Sequence, residues 1–146
     1  MEKSLEQTIT RNEQVDELIE ETLSNKLRRI AQTLRNNQGL FQIQNQVYGG
    51  DNMVCATGLL ALRAGVEKSQ LNSYQYKESK VIKNYYGITQ EENERGYDYP
   101  YRNWDRFLTK KASLAKVIFG LNDHGWSFNR IADYIDSLAL KLESSQ

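Results

Sequence analysis

Between Leu121 and Ala132 the chain reads Leu-Asn-Asp-His-Gly-Trp-Ser-Phe-Asn-Arg-Ile-Ala, a helix stop, a turn and a helix start in unbroken succession. Gly125 can take the left-handed conformation that closes a helix without a Cβ penalty, and Ser127 can accept a hydrogen bond from the unpaired N–H groups of the next first turn. The chain must fold back there. Apolar residues on either side carry helical spacing: Trp104, Phe107, Leu108, Leu114, Val117, Ile118 and Leu121 predict a helix from about Asn103 to Asn122, and Phe128, Ile131, Ala132, Ile135, Leu138, Ala139 and Leu142 predict the last one. A C-terminal helical hairpin follows.

Upstream, residues 1 to about 11 are polar and aperiodic and are expected to fray. Val15, Leu18, Ile19, Leu23, Leu27, Ile30 and Leu34 then form one stripe of a long helix from about Asn12 to Arg35, with acidic residues in its first half and basic ones in its second, as the helix dipole favours. Leu40 to Tyr48 alternates in part and reads as a short strand before the turn residues Gly49-Gly50-Asp51-Asn52. Met53 to Ala64 reads as a buried helix capped by Asp51 or Asn52. Gly58 inside it costs roughly 1 kcal/mol against alanine and so predicts a close backbone neighbour. A short helix is expected around Ser79–Asn84, and Thr89 to Tyr101, with the sole proline at Pro100, reads as loop. The expected fold is mainly α. It is a single compact helical domain over residues 12–146 with a long N-terminal helix, the C-terminal hairpin and one short strand or hairpin near 40–50.

The chain has 146 residues, enough for one conventional core. Nineteen basic residues balance nineteen acidic ones, so the whole-molecule field that draws proteins onto nucleic acid or anionic lipid is absent, and double-stranded DNA is not an expected partner. The lone cysteine, Cys55, rules out an internal disulfide and any two-cysteine zinc site. The longest apolar runs, such as Gly58-Leu59-Leu60-Ala61-Leu62, fall far short of a membrane span. A cytoplasmic protein without a membrane segment is expected.

Three tracts resemble, in order and spacing, a family of small proteins of unassigned activity frequent in bacteriophage and prophage genomes. They are Leu34-Arg35-Asn36-Asn37 leading into a Gln-rich segment, Val54-Cys55-Ala56-Thr57-Gly58-Leu59-Leu60-Ala61-Leu62, and Leu121 through Asp136. The family's C-terminal motif, Leu-Asn-Asp-x-Gly-x-Ser-Phe-x-x-Ile-Ala-Asp, is matched at Asn122-Asp123, Gly125, Ser127-Phe128 and Ile131-Ala132-Asp133. Two family cysteines are replaced by Val54 and Ala61, and Arg130 stands where a glutamate is usual, so no capping box can form at the last helix. The resemblance implies a phage or mobile-element gene. It implies no mechanism.

Three candidate sites emerge. Cys55 opening a helix, with His124 as base and Asn122 or Asp123 beside it, has the residue types of a thiol nucleophile, although a lone cysteine among apolar neighbours is ordinarily inert. Ala115 to Ile135 has the cadence of a DNA-binding helix-turn-helix, but the chain after Ile135 holds one basic residue and no glycine, so no recognition helix follows and a plain hairpin is the better reading. The third is aromatic: Tyr74, Tyr76, Tyr85, Tyr86, Tyr97, Tyr99 and Tyr101, with Arg102, Trp104 and Arg106, concentrate residue types that anchor interfaces and stack on bases.

Asp123 and Asp133 with Asn122 lack the fixed spacing of a cation loop, and neither a phosphate-cradling Gly-x-x-x-x-Gly-Lys loop nor a His-Glu-x-x-His helix occurs, so neither metal nor cofactor is expected. The leading expectation is an accessory protein that binds a host protein through the Tyr/Arg-rich middle. A small-ligand or nucleotide binder and a Cys55-dependent hydrolase are the alternatives. Self-association through the long N-terminal helix stays open.

Overall fold

In the computed structural model, Gly125 takes a φ of +92° directly after a helix over Leu114–Asp123, and Ser127 opens the next helix, Phe128–Ser144, by accepting the Arg130 N–H at 3.1 Å. The structure describes residues 21–74 and 78–145. In chain order the elements are α1 (Leu23–Arg35), β1 (Phe41–Gln42), β2 (Tyr48–Gly50), β3 (Met53–Val54), α2 (Ala56–Arg63), a 3₁₀ turn (Lys68–Tyr74), α3 (Glu78–Tyr86), α4 (Gln90–Glu94), β4 (Tyr97–Asn103), β5 (Arg106–Ala112), α5 (Leu114–Asp123) and α6 (Phe128–Ser144). The strands form a three-stranded sheet in the order β1-β3-β2, with β1 parallel and β2 antiparallel to β3, and a separate antiparallel ribbon of β4 and β5.

The fold is therefore α+β, and the expectation of a mainly α domain is corrected. Residues 106–112, expected as the start of a helix, are strand β5, and that helix begins only at Leu114 behind its cap Ser113. Thr89 to Tyr101, expected as loop, holds α4, set by a reciprocal capping box of Thr89 and Glu92, and most of β4. The long first helix starts at Leu23. Glu21 and Thr22 are not helical, and Thr22 caps α1 by accepting the Asn25 N–H at 3.2 Å, while the earlier part of the expected helix and the frayed terminus lie outside the described residues. Met53 and Val54 leave the expected second helix for the sheet, so Cys55 becomes its cap. Asp51 and Asn52 instead take positive φ (51° and 63°) in the β2–β3 turn, a conformation that short polar side chains tolerate.

α1 and α6 pack along their lengths, burying Leu27, Ile30, Ala31 and Leu34 against Ile131, Ala132, Ile135, Leu138 and Ala139. Arg28 pairs with Glu143 at 2.7 Å near the start of one helix and the end of the other, and Arg35 pairs with Asp133 and Asp136 at 2.7 and 2.8 Å at the opposite ends. The pairs fix an antiparallel register more than they add stability, because exposed ion pairs contribute under about 1 kcal/mol. At Gly58 a Cβ would strike the Val47 carbonyl oxygen, so the β2 entry is the backbone neighbour that the glycine makes room for.

Three helices are capped from a distance by amide side chains. The first N–H groups of a helix lack partners within it, so a buried helix start needs an acceptor from elsewhere. Asn93 Oδ1 accepts the Ala115 N–H of α5 at 2.9 Å, Asn122 Oδ1 accepts the Ala56 N–H of α2 at 3.0 Å, and Gln42 Oε1 accepts the Phe128 N–H of α6 at 3.0 Å. Asn122 is fully buried. Its oxygen also accepts Gln42 Nε2 at 2.7 Å, and its nitrogen donates to the Ile43 carbonyl at 2.9 Å and the Asp123 carboxylate at 3.3 Å. Gln42 Nε2 further donates to the Trp126 carbonyl at 2.7 Å, so two amides join the three-stranded sheet, α2 and the α5–α6 turn.

Asn122→Ala strands the Ala56 N–H and the Ile43 carbonyl in the interior and is expected to cost about 3 kcal/mol, since each unmet buried polar group costs roughly 1–3 kcal/mol. Urea unfolding of the variant measures it, and a loss below about 1 kcal/mol contradicts the role assigned to this side chain.

Candidate functional site

The β4–β5 ribbon follows from an alternation that a helical reading hides. Tyr97, Tyr99 and Tyr101 fall on one face of β4, and the register pairs Tyr97 with Ala112 through Asn103 with Arg106, leaving Trp104-Asp105 as a two-residue connection. Pro100 cannot donate to a ladder, and it is tolerated because β4 has only one neighbouring strand.

The near end of the ribbon is firmly held. Tyr97 is buried and donates its hydroxyl to the Glu92 carbonyl at 2.5 Å, and Tyr99 is buried against α5 where Gly120 leaves space, since a Cβ there would overlap the phenol. Tyr134 of α6 donates to the Asp98 carbonyl at 2.6 Å. The Asp98 carboxylate receives Lys111 and Lys141 at 2.7 Å each, and those two ammonium groups hold its pKa down at about 2. The far end is open. Trp104 is 90% exposed with a φ of +62°, Phe107 is 77% exposed, and Arg102 and Arg106 are exposed beside them.

A cleft of about 270 Å³ lies between this far end and the α5–α6 turn. Pro100, Tyr101, Arg102 and Phe107 form its ribbon side. His124, Trp126 and Arg130 form the other. The Arg130 guanidinium lies 3.7 Å from the centre of the Trp126 ring, and Tyr134 meets that ring edge-on at 5.8 Å. Among the described residues, no carboxylate lines the cleft.

The charge around it is uneven in a way that a neutral total conceals. Elsewhere Lys26, Arg28, Arg29, Arg35, Lys111 and Lys141 face carboxylates. On this face Arg102, Lys110, Lys116 and Arg130 face aromatic rings, those of Phe107, Tyr101, Phe119 and Trp126, and among the described residues none of the four has a carboxylate partner. They are held against rings rather than in ion pairs. Of the nearby acidic residues, Glu92 is bound to Lys26 at 2.8 Å, Glu91 and Glu94 sit on α4, and Asp98 is shared by two lysines, whereas Asp105 is exposed in the ribbon connection between Trp104 and Arg106.

The tyrosine-rich surface expected from sequence is thus only partly a surface. Tyr86, Tyr97 and Tyr99 point inward. Tyr86 donates to the Leu60 carbonyl at 2.5 Å, and burial pushes both its phenol and that of Tyr97 up to about 12. Tyr85 is 41% exposed and Tyr101 half-buried in the cleft wall, stacked on Tyr99 at 6.2 Å. Tyr76 and the side chain of Tyr74 lie outside the described residues. Arg102, Trp104 and Arg106 are presented outward.

Sequence reasoning missed Phe107, Trp126 and Arg130. The available signal was Trp126 just before the cap Ser127 with Arg130 in the first turn after it, because side chains that flank a helix start in this way can fold onto each other.

Cys55 and His124 do not form a catalytic pair. The thiol is buried and accepts the Gly58 N–H of α2 at 3.5 Å, while His124 is an exposed helix-end residue whose ring lies 6.3 Å from that of Tyr99, and no hydrogen bond joins the two. Burial pushes the thiol's pKa up and the Asp123 carboxylate adds to it, opposite to what a thiolate nucleophile needs. Asp123 instead accepts the Asn45 N–H at 2.8 Å and Asp133 pairs with Arg35, so the weak cation motif is dispersed. No cluster of three metal-ligating side chains occurs among the described residues. None of the described helices is long and apolar enough to cross a membrane.

Cys55 is expected to react with iodoacetamide more slowly than a free thiol at neutral pH and to speed up only as denaturant unfolds the chain; faster reaction in the folded protein would restore the nucleophile. No family model, curated protein or solved structure matches this chain.

Proposed function

We propose that the chain acts by binding a protein partner through the far end of the β4–β5 ribbon, with Trp104 and Phe107 as anchors and Arg102 and Arg106 as flanking contacts. The observation that carries this reading is Trp104 itself: an indole 90% exposed on a residue at positive φ. The left-handed conformation costs a bulky L-residue roughly 1–2 kcal/mol, and such strain concentrates at functional sites. Tryptophan and arginine are also the side chains that carry most binding energy at protein interfaces. The nearby cations, held against rings rather than carboxylates, favour a partner that presents acidic residues.

The motif resemblance supports a place in a phage or mobile element, which makes a host protein the natural partner. Its matched residues occupy structural positions: Leu34, Leu121, Phe128, Ile131 and Ala132 are in the core, Asn122 is the buried cap of α2, and Asp133 pairs with Arg35. The binding surface proposed here lies outside those matched positions. A shared scaffold carrying its own docking ribbon fits such a division.

Affinity capture from host lysate, run in parallel with the wild-type chain and a Trp104→Ala/Phe107→Ala variant, tests the reading. Both residues are solvent-exposed, so the variant is expected to stay folded and to lose at least about thirtyfold in affinity for proteins the wild type retains, as truncation of a binding hot spot does. Equal capture by both chains contradicts it.

A further inference from the structure

We infer that the cleft between the ribbon and the α5–α6 turn is a binding site for a nucleoside monophosphate that shares Arg102 and Phe107 with the docking surface at the ribbon tip and does not include Trp104. Apart from Pro100, a ligand there meets flat rings and basic side chains. Tyr101 and Phe107 supply aromatic wall on the ribbon side, Trp126 supplies it on the other, and Arg102, Arg130 and His124 supply N–H donors. Aromatic side chains take the flat faces of bases with little regard to which base, and guanidinium forks match the paired oxygens of a phosphate.

The two arginines are prepared for an anion. The Arg130 guanidinium carbon lies over the Trp126 ring at 3.7 Å from its centre, a contact with the ring that uses none of its N–H donors on a carboxylate. Arg102 lies 5.6 Å from the Phe107 ring centre and, among the described residues, donates only through its Nε, to the Trp104 carbonyl at 3.0 Å, which leaves its terminal N–H groups for a ligand. Neither arginine has a carboxylate partner among the described residues, and none lines the cleft, so a phosphate entering it displaces no internal ion pair.

A neighbouring hollow shows the contrast. It is bounded in part by Arg95, Lys111 and Lys141, but Asp98 lines it too and takes both lysines at 2.7 Å, so both ammonium groups are already engaged by a carboxylate.

Size limits the ligand. At about 270 Å³ the cleft is near the lower end of ligand pockets, which start at around 300 Å³, and suits one base with one phosphate.

The two surfaces share Arg102 and Phe107, but Trp104, the residue that carries the protein-docking reading, is outside the cleft lining. That separation shapes the test. AMP is titrated into the full chain by isothermal calorimetry, and in a Trp104→Phe background the remaining tryptophan, Trp126, reports from inside the cleft by its fluorescence.

Saturable AMP binding is expected, with inorganic phosphate and adenosine each at least tenfold weaker. Arg130→Ala is expected to weaken AMP at least tenfold with an unchanged circular dichroism spectrum, Arg130→Lys to recover part of the loss, and Trp104→Ala to bind AMP as the wild type does. The proposal is overturned by the absence of saturable binding at millimolar AMP, by adenosine binding as tightly as AMP, or by an Arg130→Ala chain that is folded and binds AMP undiminished. Loss of AMP binding in Trp104→Ala would overturn the placement of the AMP site apart from Trp104.

Discussion

The buried carboxamide of Asn122 is the contact on which the arrangement of this protein depends. It makes four hydrogen bonds, to Gln42, Ala56, Ile43 and Asp123, which is the full complement such a side chain can make. A buried amide is costly when half satisfied and strongly specifying when fully satisfied, because any other packing leaves its donors and acceptors unmet in a low-dielectric interior. One side chain on α5 thereby sets where the sheet ends, where α2 begins and, through Gln42, how the α5–α6 turn leaves the helix. The position of Trp126, and with it one wall of the cleft, is a consequence of that network.

Function is proposed at the place where this internal satisfaction stops. The near end of the β4–β5 ribbon is fixed by Tyr97, Tyr99 and the Asp98 lysines, whereas an isolated two-stranded ribbon has little stability of its own. Its far end has rings covered by cations rather than by core, exposed indole and phenyl groups, and a strained turn residue. A rigid base with an unsatisfied tip is a suitable form for a docking element, since the ordering cost of the ribbon is met by folding and not at the moment of binding.

Local signals were the legible part of the sequence. Gly125, Ser127 and the missing capping box at Arg130, the α3 helix, and the close approach at Gly58 all follow from single residues or short spacings, and each is found. The ribbon was illegible because Trp104, Phe107 and Leu108 happen to carry helical spacing into the genuine helix at Leu114, while Pro100 interrupts the alternation of Tyr97, Tyr99 and Tyr101. Thr22 was similarly hidden inside an apolar stripe that runs on both sides of it. The long-range caps left no trace, since nothing in sequence ties Asn122 to Ala56 or Gln42 to Phe128. Charge was misjudged for the same reason: a neutral sum says nothing about which cations meet carboxylates and which meet rings.

Native-state hydrogen exchange of two amides tests the central role of these buried side chains most directly. The Ala56 and Phe128 N–H groups open α2 and α6, and their acceptors are Asn122 Oδ1 and Gln42 Oε1. First-turn amides ordinarily exchange rapidly for want of a partner within the helix. Both are predicted to exchange as slowly as amides in the middle of their helices, such as Leu59 and Ile135, which open only with the whole domain. Rapid exchange at Ala56 and Phe128 against slow exchange at Leu59 and Ile135 would contradict the account.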